Sequence, residues 1–279
     1  MTKQMAKQAA RHRLALIGGG NMGSALVGGL LAAGWKPADI AVVERLPGRA
    51  AQLGGLFPGV TVSGEMVRAD GVVIAVKPYD VAAAADLVAV AGATRVLSIA
   101  AGISLATLSG GFGDGVAVVR GMPNTAALVG KGAAAIAAGP SSAEADLVWA
   151  EEILGAVGTV TRVTEAQLDA VTVLSGSGPA YLSLVAEALI DSGVLAGLPR
   201  GVSEAMVGQV FIGFAALFVE SGRDPVALRA EVTSPGGVTA AALRVLEGHG
   251  LRSAFLEAVM AGTERSRELG QTGVEARSA

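Results

Sequence analysis

The residues that most often carry acid, base or nucleophilic chemistry are scarce in this chain. Its 279 residues include five lysines, two histidines (His12 and His249) and no cysteine. Thiol nucleophiles, disulfides and cysteine-bound metals are therefore excluded, and two histidines are too few for a histidine metal cluster, so no metal site is expected. No lysine follows Lys131, and His249 sits in Gly248-His249-Gly250, a loop pattern. Dehydrogenation of an alcohol needs a group to take the hydroxyl proton. Reduction of an already protonated imine needs only a hydride, alignment and a hydrogen bond to nitrogen. The inventory leans toward the imine.

A site for the hydride donor is suggested near the N-terminus. Residues 14–35 carry no charge behind a basic start, a pattern shared by signal peptides, and Gly19 and Gly23 have the spacing of a membrane helix-dimer motif. Gly18, Gly19, Gly20 and Asn21 interrupt the run in its middle, however, where either kind of helix needs helix formers. The apolar Leu14–Ile17 reads as a strand and Ser24–Leu31 as a helix, so the glycines form the turn between them. Gly18, Gly20 and Gly23 fit G-x-G-x-x-G, whose glycines serve the tight turn, approach of a pyrophosphate and close helix packing. Glycine is frequent here, at 40 residues, so the pattern alone is weak. A second strand, Ile40–Val43, ends at Glu44, where an acidic residue would meet an adenosine ribose.

Further candidates lie downstream. Lys77 stands just past a predicted strand, at the sheet end where ligands bind, although a solvated terminal lysine is equally compatible with the pattern. Asn124 follows another strand, and its amide could bond a nicotinamide carboxamide or simply cap a turn. In "TSPGGVTAAALRVLE" (residues 233–247), Ser234-Pro235-Gly236-Gly237 precede a helix opened by Val238-Thr239, so backbone N–H groups and two hydroxyls converge there. That is a seat for a carboxylate, or only a capped helix start.

The elements that must position these residues divide into two sets. Apolar bursts at 72–76, 96–99 and 116–119, with weaker ones at 133–137 and 157–163, predict strands of a sheet covered on both faces. Helices are expected at 64–68, 81–89 and 142–154, and a loop at 110–115. Beyond Thr164 strand signals vanish, and 180–193, 203–221, 225–231, 239–247 and 251–269 read as helices. The expected organisation is a mobile tail (1–13), a doubly wound α/β domain of Rossmann type (14–163) and an all-α domain (164–279).

Bulk properties narrow the partners. A net charge of −3, 4% aromatic residues and scattered arginines give no nucleic-acid surface. The uncharged stretch 205–219 is apolar nearly all round, and its fifteen residues are short for a membrane span. Burial in a subunit interface, and hence an obligate dimer, is expected. The cysteine-free composition fits a reducing, cytoplasmic compartment.

Taken together, "IGGGNMG", "AVKP", "SIAAGIS", "RGMPNTA", "SGSGPAYLSLVAEALIDSGVLAGLPR" and "EVTSPGGVTAAALRVLE" resemble the pyrroline-5-carboxylate reductase family over residues 14–269. The resemblance implies reduction of L-1-pyrroline-5-carboxylate to L-proline, the last step of proline biosynthesis. It implies a Rossmann domain joined to a helical dimerisation domain, with the substrate site at the interface of a homodimer or higher homo-oligomer. Ser234 and the backbone at Gly236, Gly237 and Val238 would hold the substrate carboxylate, and the Thr239 hydroxyl the ring nitrogen. Gly18, Gly20, Asn21, Met22 and Gly23 would lie under the cofactor pyrophosphate, with Ala75, Val76, Lys77, Pro78, Ala100 and Asn124 near its ribose and nicotinamide. The chain departs from the family pattern at Ala126, where proline is frequent, and at Glu44-Arg45, where serine or arginine is frequent. Family habit implies NADPH, with NADH the alternative: Glu44 favours a ribose 2′-hydroxyl, whereas Arg45 and Arg49 could pair with a 2′-phosphate.

The rival readings are a hydroxy-acid dehydrogenase of the same plan, which needs a proton-accepting lysine or equivalent in the helical half, a nucleotide-sensing protein without turnover, and a membrane protein.

Overall fold

The structure, a computed structural model, describes residues 11–113 and 115–275. It divides into two compact units, one formed by Met1–Ser177 with Gly262–Ala279 and the other by Gly178–Ala261.

In the first unit, β1 (His12–Ile17) is followed by α1 (Asn21–Ala32), β2 (Ile40–Val43), α2 (Pro47–Leu56), β3 (Thr61–Ser63), β4 (Ala69–Ile74) and α3 (Val81–Ala91). Then come β5 (Arg95–Ser98), α4 (Leu105–Phe112), β6 (Ala117–Met122), β7 (Gly132–Ala138), α5 (Glu144–Gly155), β8 (Gly158–Arg162), α6 (Leu168–Val171) and a π turn over Thr172–Gly176. The eight strands form one sheet in the order β3-β2-β1-β4-β5-β6-β7-β8. Every neighbouring pair is parallel except β6 with β7. The chain builds outward from β1 to β3, then returns to lay β4 on the other side of β1, so the topological switch point lies between β1 and β4.

Alternate side chains of each strand enter separate cores. Leu14 and Leu16 pack with Leu26, Leu30 and Ile153, whereas Ala15 and Ile17 pack with Val88 and Leu108. Both faces are therefore covered, which is why the strands read as continuous apolar runs. Leu26 and Leu30 are fully buried and four residues apart on α1. At roughly 1.5–3 kcal/mol per buried leucine, they fix the helix that presents the glycine loop.

Several details differ from the sequence reading. Residues 1–10 of the expected tail lie outside the described residues, but His12 and Arg13 belong to β1. The Arg13 guanidinium lies 3.7 Å over the Trp35 ring and pairs with Glu152 at 2.7 Å. No helix forms at 64–68, because the Ser63 hydroxyl accepts the Glu65 N–H and turns the chain there. The helix between β2 and β4 is instead α2, started by Pro47 at a first-turn position. The loop expected at 110–115 is helical through Phe112, with Ser104 accepting the Thr107 N–H as the N-cap of α4.

The first compact unit runs on to Ser177. Residues 165–177 pack with the sheet, and the end of α11 (Leu251–Glu275) returns to them through a hydrogen bond from the Ser266 hydroxyl to Asp169 Oδ1 at 2.9 Å. Gly262 permits this, because a Cβ there would meet Val173 Cγ1 at 2.7 Å.

The second unit contains α7 (Gly178–Leu195), α8 (Arg200–Glu220), α9 (Pro225–Glu231), α10 (Val238–Gly248) and the start of α11. The Ser203 hydroxyl donates to the Ile190 carbonyl and ties α8 to α7 at 2.9 Å. Ile212, Phe214, Leu217 and Phe218 of α8 remain exposed. Among the described residues, two helical stretches, Glu165–Leu195 and Arg200–Glu220, are long and apolar enough to cross a membrane. The 21 residues of α8 thus exceed the uncharged stretch on which the sequence argument about length rested.

Candidate active site

The three glycines of the fingerprint have three different surroundings at the switch point. Gly18 follows β1 with φ of +103°, and a Cβ there would sit 2.7 Å from the Ala75 carbonyl oxygen, just past β4. Only glycine fits that backbone. A Cβ on Gly23 would lie 2.2 Å from the Gly18 carbonyl oxygen, so its absence lets α1 close onto the turn. A Cβ on Gly20 would meet nothing within 4 Å. The first and third glycines are thus required by the protein's own backbone, whereas the second faces open space at the N-terminal end of α1. That combination fits a pyrophosphate cradle. The start of α1 has no side-chain cap, and Asn21 there is exposed while Met22 packs against the core.

Glu44 closes β2 beside the same loop. Its Oε2 accepts the Gly19 N–H at 3.1 Å and its Oε1 accepts the Leu46 N–H at 2.9 Å. Arg49 reaches back from α2, its Nε donating to the Gly19 carbonyl at 2.7 Å and its Nη2 to the Ser24 hydroxyl at 2.5 Å. Arg45 is exposed and faces Asp80 at 3.5 Å, in the turn that follows Ala75-Val76-Lys77-Pro78. The structure therefore brings Gly18, Gly20, Gly23, Glu44, Arg45, Arg49 and Ala75–Pro78 to one end of the sheet. Lys77 is exposed there, and Ala100 is buried just past β5.

Asn124 also follows a strand, but its amide is engaged inside the unit. Its Oδ1 accepts the Ala133 N–H at 3.1 Å, and its Nδ2 donates to the Ser175 carbonyl at 3.2 Å. It ties the end of β6 to β7 and to the π turn.

The candidate carboxylate seat belongs to the second unit. Gly237 is the N-cap of α10 in extended backbone, and no side chain caps the helix. Its N–H donates to the Ser234 carbonyl at 3.1 Å, and a Cβ on it would strike the Ser234 hydroxyl oxygen at 2.3 Å. Gly236, at φ +70°, makes the turn that leaves the helix start open. Val238 is 89% exposed, and Gly237 and Thr239 on either side of it are half-buried.

One pair has no counterpart among the sequence candidates. Arg120 on β6 is 8% exposed and pairs with Glu165 at 3.1 Å; the same Glu165 oxygen accepts the Leu105 N–H at 2.6 Å. Gly102, Ser104, Asp169 and Arg267 join them around a recess of about 420 Å³. A charge inside the otherwise apolar run "VAVVRGM" is the signal that could have found it, since a strand covered on both faces can hold an arginine only with a partner.

Comparison with known proteins places both units. Residues 165–269 match the family described as pyrroline-5-carboxylate reductase dimerisation, and residues 13–102 match the family described as NADP oxidoreductase coenzyme F420-dependent. The chain is 41% identical to the pyrroline-5-carboxylate reductase of Corynebacterium melassecola, over 92% of this chain and 98% of the relative. It is 43% identical to that of Synechocystis sp., over 93% and 98%. Among solved structures, a pyrroline-5-carboxylate reductase from Coxiella burnetii superposes with a TM-score of 0.87 at 35% identity, covering 92% of this chain and 98% of that one. The Plasmodium falciparum pyrroline carboxylate reductase with NADP bound gives 0.79 at 28%, covering 93% and 98%.

Proposed function

The chain belongs to the pyrroline-5-carboxylate reductase family, and on that premise we propose that it reduces L-1-pyrroline-5-carboxylate to L-proline, the last step of proline biosynthesis. When bound, NAD(P)H supplies the hydride. The observation that carries the reading is near full-length identity with reductases of this name, joined to a glycine loop whose second member alone faces open space.

The chain's own residues divide the task. Gly18, Gly20, Asn21, Met22 and Gly23 hold the pyrophosphate, Glu44 and its neighbouring arginines border the adenosine ribose, and Ala75–Pro78 with Ala100 and Asn124 line the rest of the cofactor. The internal bonds of Asn124 assign it chiefly to shaping that wall. Ser234, Gly236, Gly237 and Val238 hold the substrate carboxylate with the uncapped N–H groups of α10, where the helix dipole favours an anion. Thr239 hydrogen-bonds the ring nitrogen and is the catalytic residue. The scarcity of lysine and histidine beyond Lys131 suits an imine that is already protonated, so rate comes mainly from positioning.

The exposed apolar side chains of α8 become a homodimer interface, which the match to a dimerisation family supports. A cytoplasmic location agrees with the absence of cysteine. The testing experiment is steady-state kinetics of Thr239→Ala with pyrroline-5-carboxylate. The reading expects kcat/KM to fall about tenfold or more, the scale of one lost hydrogen bond to a charged group. Unchanged kinetics would overturn the assignment of Thr239.

A further inference from the structure

Arg120 is a buried cation with more donors than partners. On β6 it alternates with Val119, which packs in the core shared with α1, so its side chain lies on the opposite face of the sheet with Val118. Ser98, its register partner on β5, lies beside it on that face. Arg120 is only 8% exposed, yet Nη1 alone is engaged, by Glu165; Nε and Nη2 have no hydrogen-bond partner among the described residues. Ser98 Oγ is fully buried and also has none. Buried donors are ordinarily satisfied, and the accessible space that Arg120 borders is the recess of about 420 Å³.

That recess presents both signs of charge. Arg267, from the end of α11, lines it, is exposed, and makes no ion pair or hydrogen bond among the described residues. Glu165 and Asp169 are each engaged through one oxygen: Glu165 Oε1 accepts from Arg120 and the Leu105 N–H, and Asp169 Oδ1 from the Ser266 hydroxyl. Glu165 Oε2 and Asp169 Oδ2 are left to accept. Two guanidinium groups and two carboxylates cancel in charge. A lone anion would meet both carboxylates, a lone cation both guanidinium groups, and an apolar ligand would take water from all four without replacing it. A ligand carrying one charge of each sign close together satisfies both sets. The volume falls in the range of about 300–1,000 Å³ found for small-ligand sites.

From this arrangement we infer that the recess is a binding site for a free α-amino acid, its carboxylate held by Arg120 and Arg267 and its ammonium group by Glu165 and Asp169. The pairing reads the two charges every amino acid carries, so it selects the class. None of these four residues belongs to the proposed cofactor or substrate seats, and the inference does not depend on the reductase reading.

The test is calorimetric titration of the full chain, without nucleotide, with L-alanine and with propionate and ethylamine, each of which keeps one of its two charges. The expected result is a Kd of about 1 mM or lower for L-alanine, with both single-charge probes weaker by about tenfold or more. Arg267→Gln, at an exposed and unpaired position, should leave Tm unchanged and weaken L-alanine by about fivefold or more. Asp169→Asn, which keeps an acceptor for Ser266 but loses the charge, should weaken it similarly. Thr239→Ala should leave it alone.

Absence of L-alanine binding by protein with a normal melting transition would overturn the site. Propionate bound as tightly as L-alanine would make the recess a simple anion site and overturn the amino-acid assignment. Binding that survives Arg267→Gln but is lost in Thr239→Ala would place the ligand at the start of α10, overturning this inference and leaving the reductase reading intact.

Discussion

Alanine substitutions at Gly20, the N-cap of α1, and at Gly23, in its first turn, should fail in opposite ways. Alanine normally improves a helix interior over glycine by about 0.5–1 kcal/mol. At Gly23 the new Cβ would stand 2.2 Å from the Gly18 carbonyl oxygen, and the contact is with backbone that no rotamer change can relieve. Restoring an ordinary contact of about 3.4 Å requires α1 to move off the turn by about 1 Å, against fully buried Leu26 and Leu30. Overpacking of that kind costs about 1–3 kcal/mol and exceeds the helix gain.

Gly23→Ala should therefore lower Tm by several degrees, at roughly 2–4 °C per kcal/mol for a chain of this size. Gly20 has ordinary φ of −64° and open space where its Cβ would go. Gly20→Ala should lose at most about 1 kcal/mol as a poorer N-cap while weakening nucleotide binding by tenfold or more, because the space it fills is the phosphate's. Differential scanning fluorimetry and calorimetric titration of both variants separate the two effects. Wild-type affinity in Gly20→Ala would refute the assignment of this loop to phosphate, and a wild-type Tm in Gly23→Ala would refute the packing argument.

Two further substitutions probe the sheet end. Asn124→Ala removes the partner of the Ala133 N–H and the Ser175 carbonyl, and should cost about 1–2 kcal/mol in chemical denaturation; a loss of nucleotide affinity at unchanged stability would make Asn124 a ligand rather than a strut. Glu165→Ala leaves the Arg120 guanidinium buried without its carboxylate and should cost about 2 kcal/mol or more, whereas Arg120→Met should cost less; the reverse order in urea melts would contradict the pairing.

The parts of this fold legible in the sequence are those set by local chemistry. Leu14–Ile17, the glycine turn and the helix behind it form a contiguous pattern, and Glu44 follows at the end of an equally plain strand. What local pattern could not give depends on partners far along the chain. Asn124 is adjacent to a strand in sequence, but its bonding is decided by Ser175, 51 residues on. The boundary near Ser177 follows from Glu165 meeting Arg120 and Asp169 meeting Ser266, across 45 and 97 residues.

Helices rich in glycine were the other loss. α2 contains Gly48, Gly54 and Gly55, and α4 contains Gly110 and Gly111, so both resemble loops until packing overrides propensity. In the candidate site, residue types alone left Glu44, Arg45 and Arg49 in competition; only the side-chain directions show Arg49 bonded to the glycine loop while Arg45 stays exposed.

The most direct test of the central claim is the fate of the transferred hydrogen. Purified protein is mixed with pyrroline-5-carboxylate and a reduced nicotinamide nucleotide carrying deuterium at both C4 positions, and the products are identified by mass spectrometry and NMR. The account predicts L-proline carrying a single deuterium at C5, formed one for one with oxidised nucleotide. Protein with a normal melting transition that yields no labelled proline with either NADH or NADPH would contradict it.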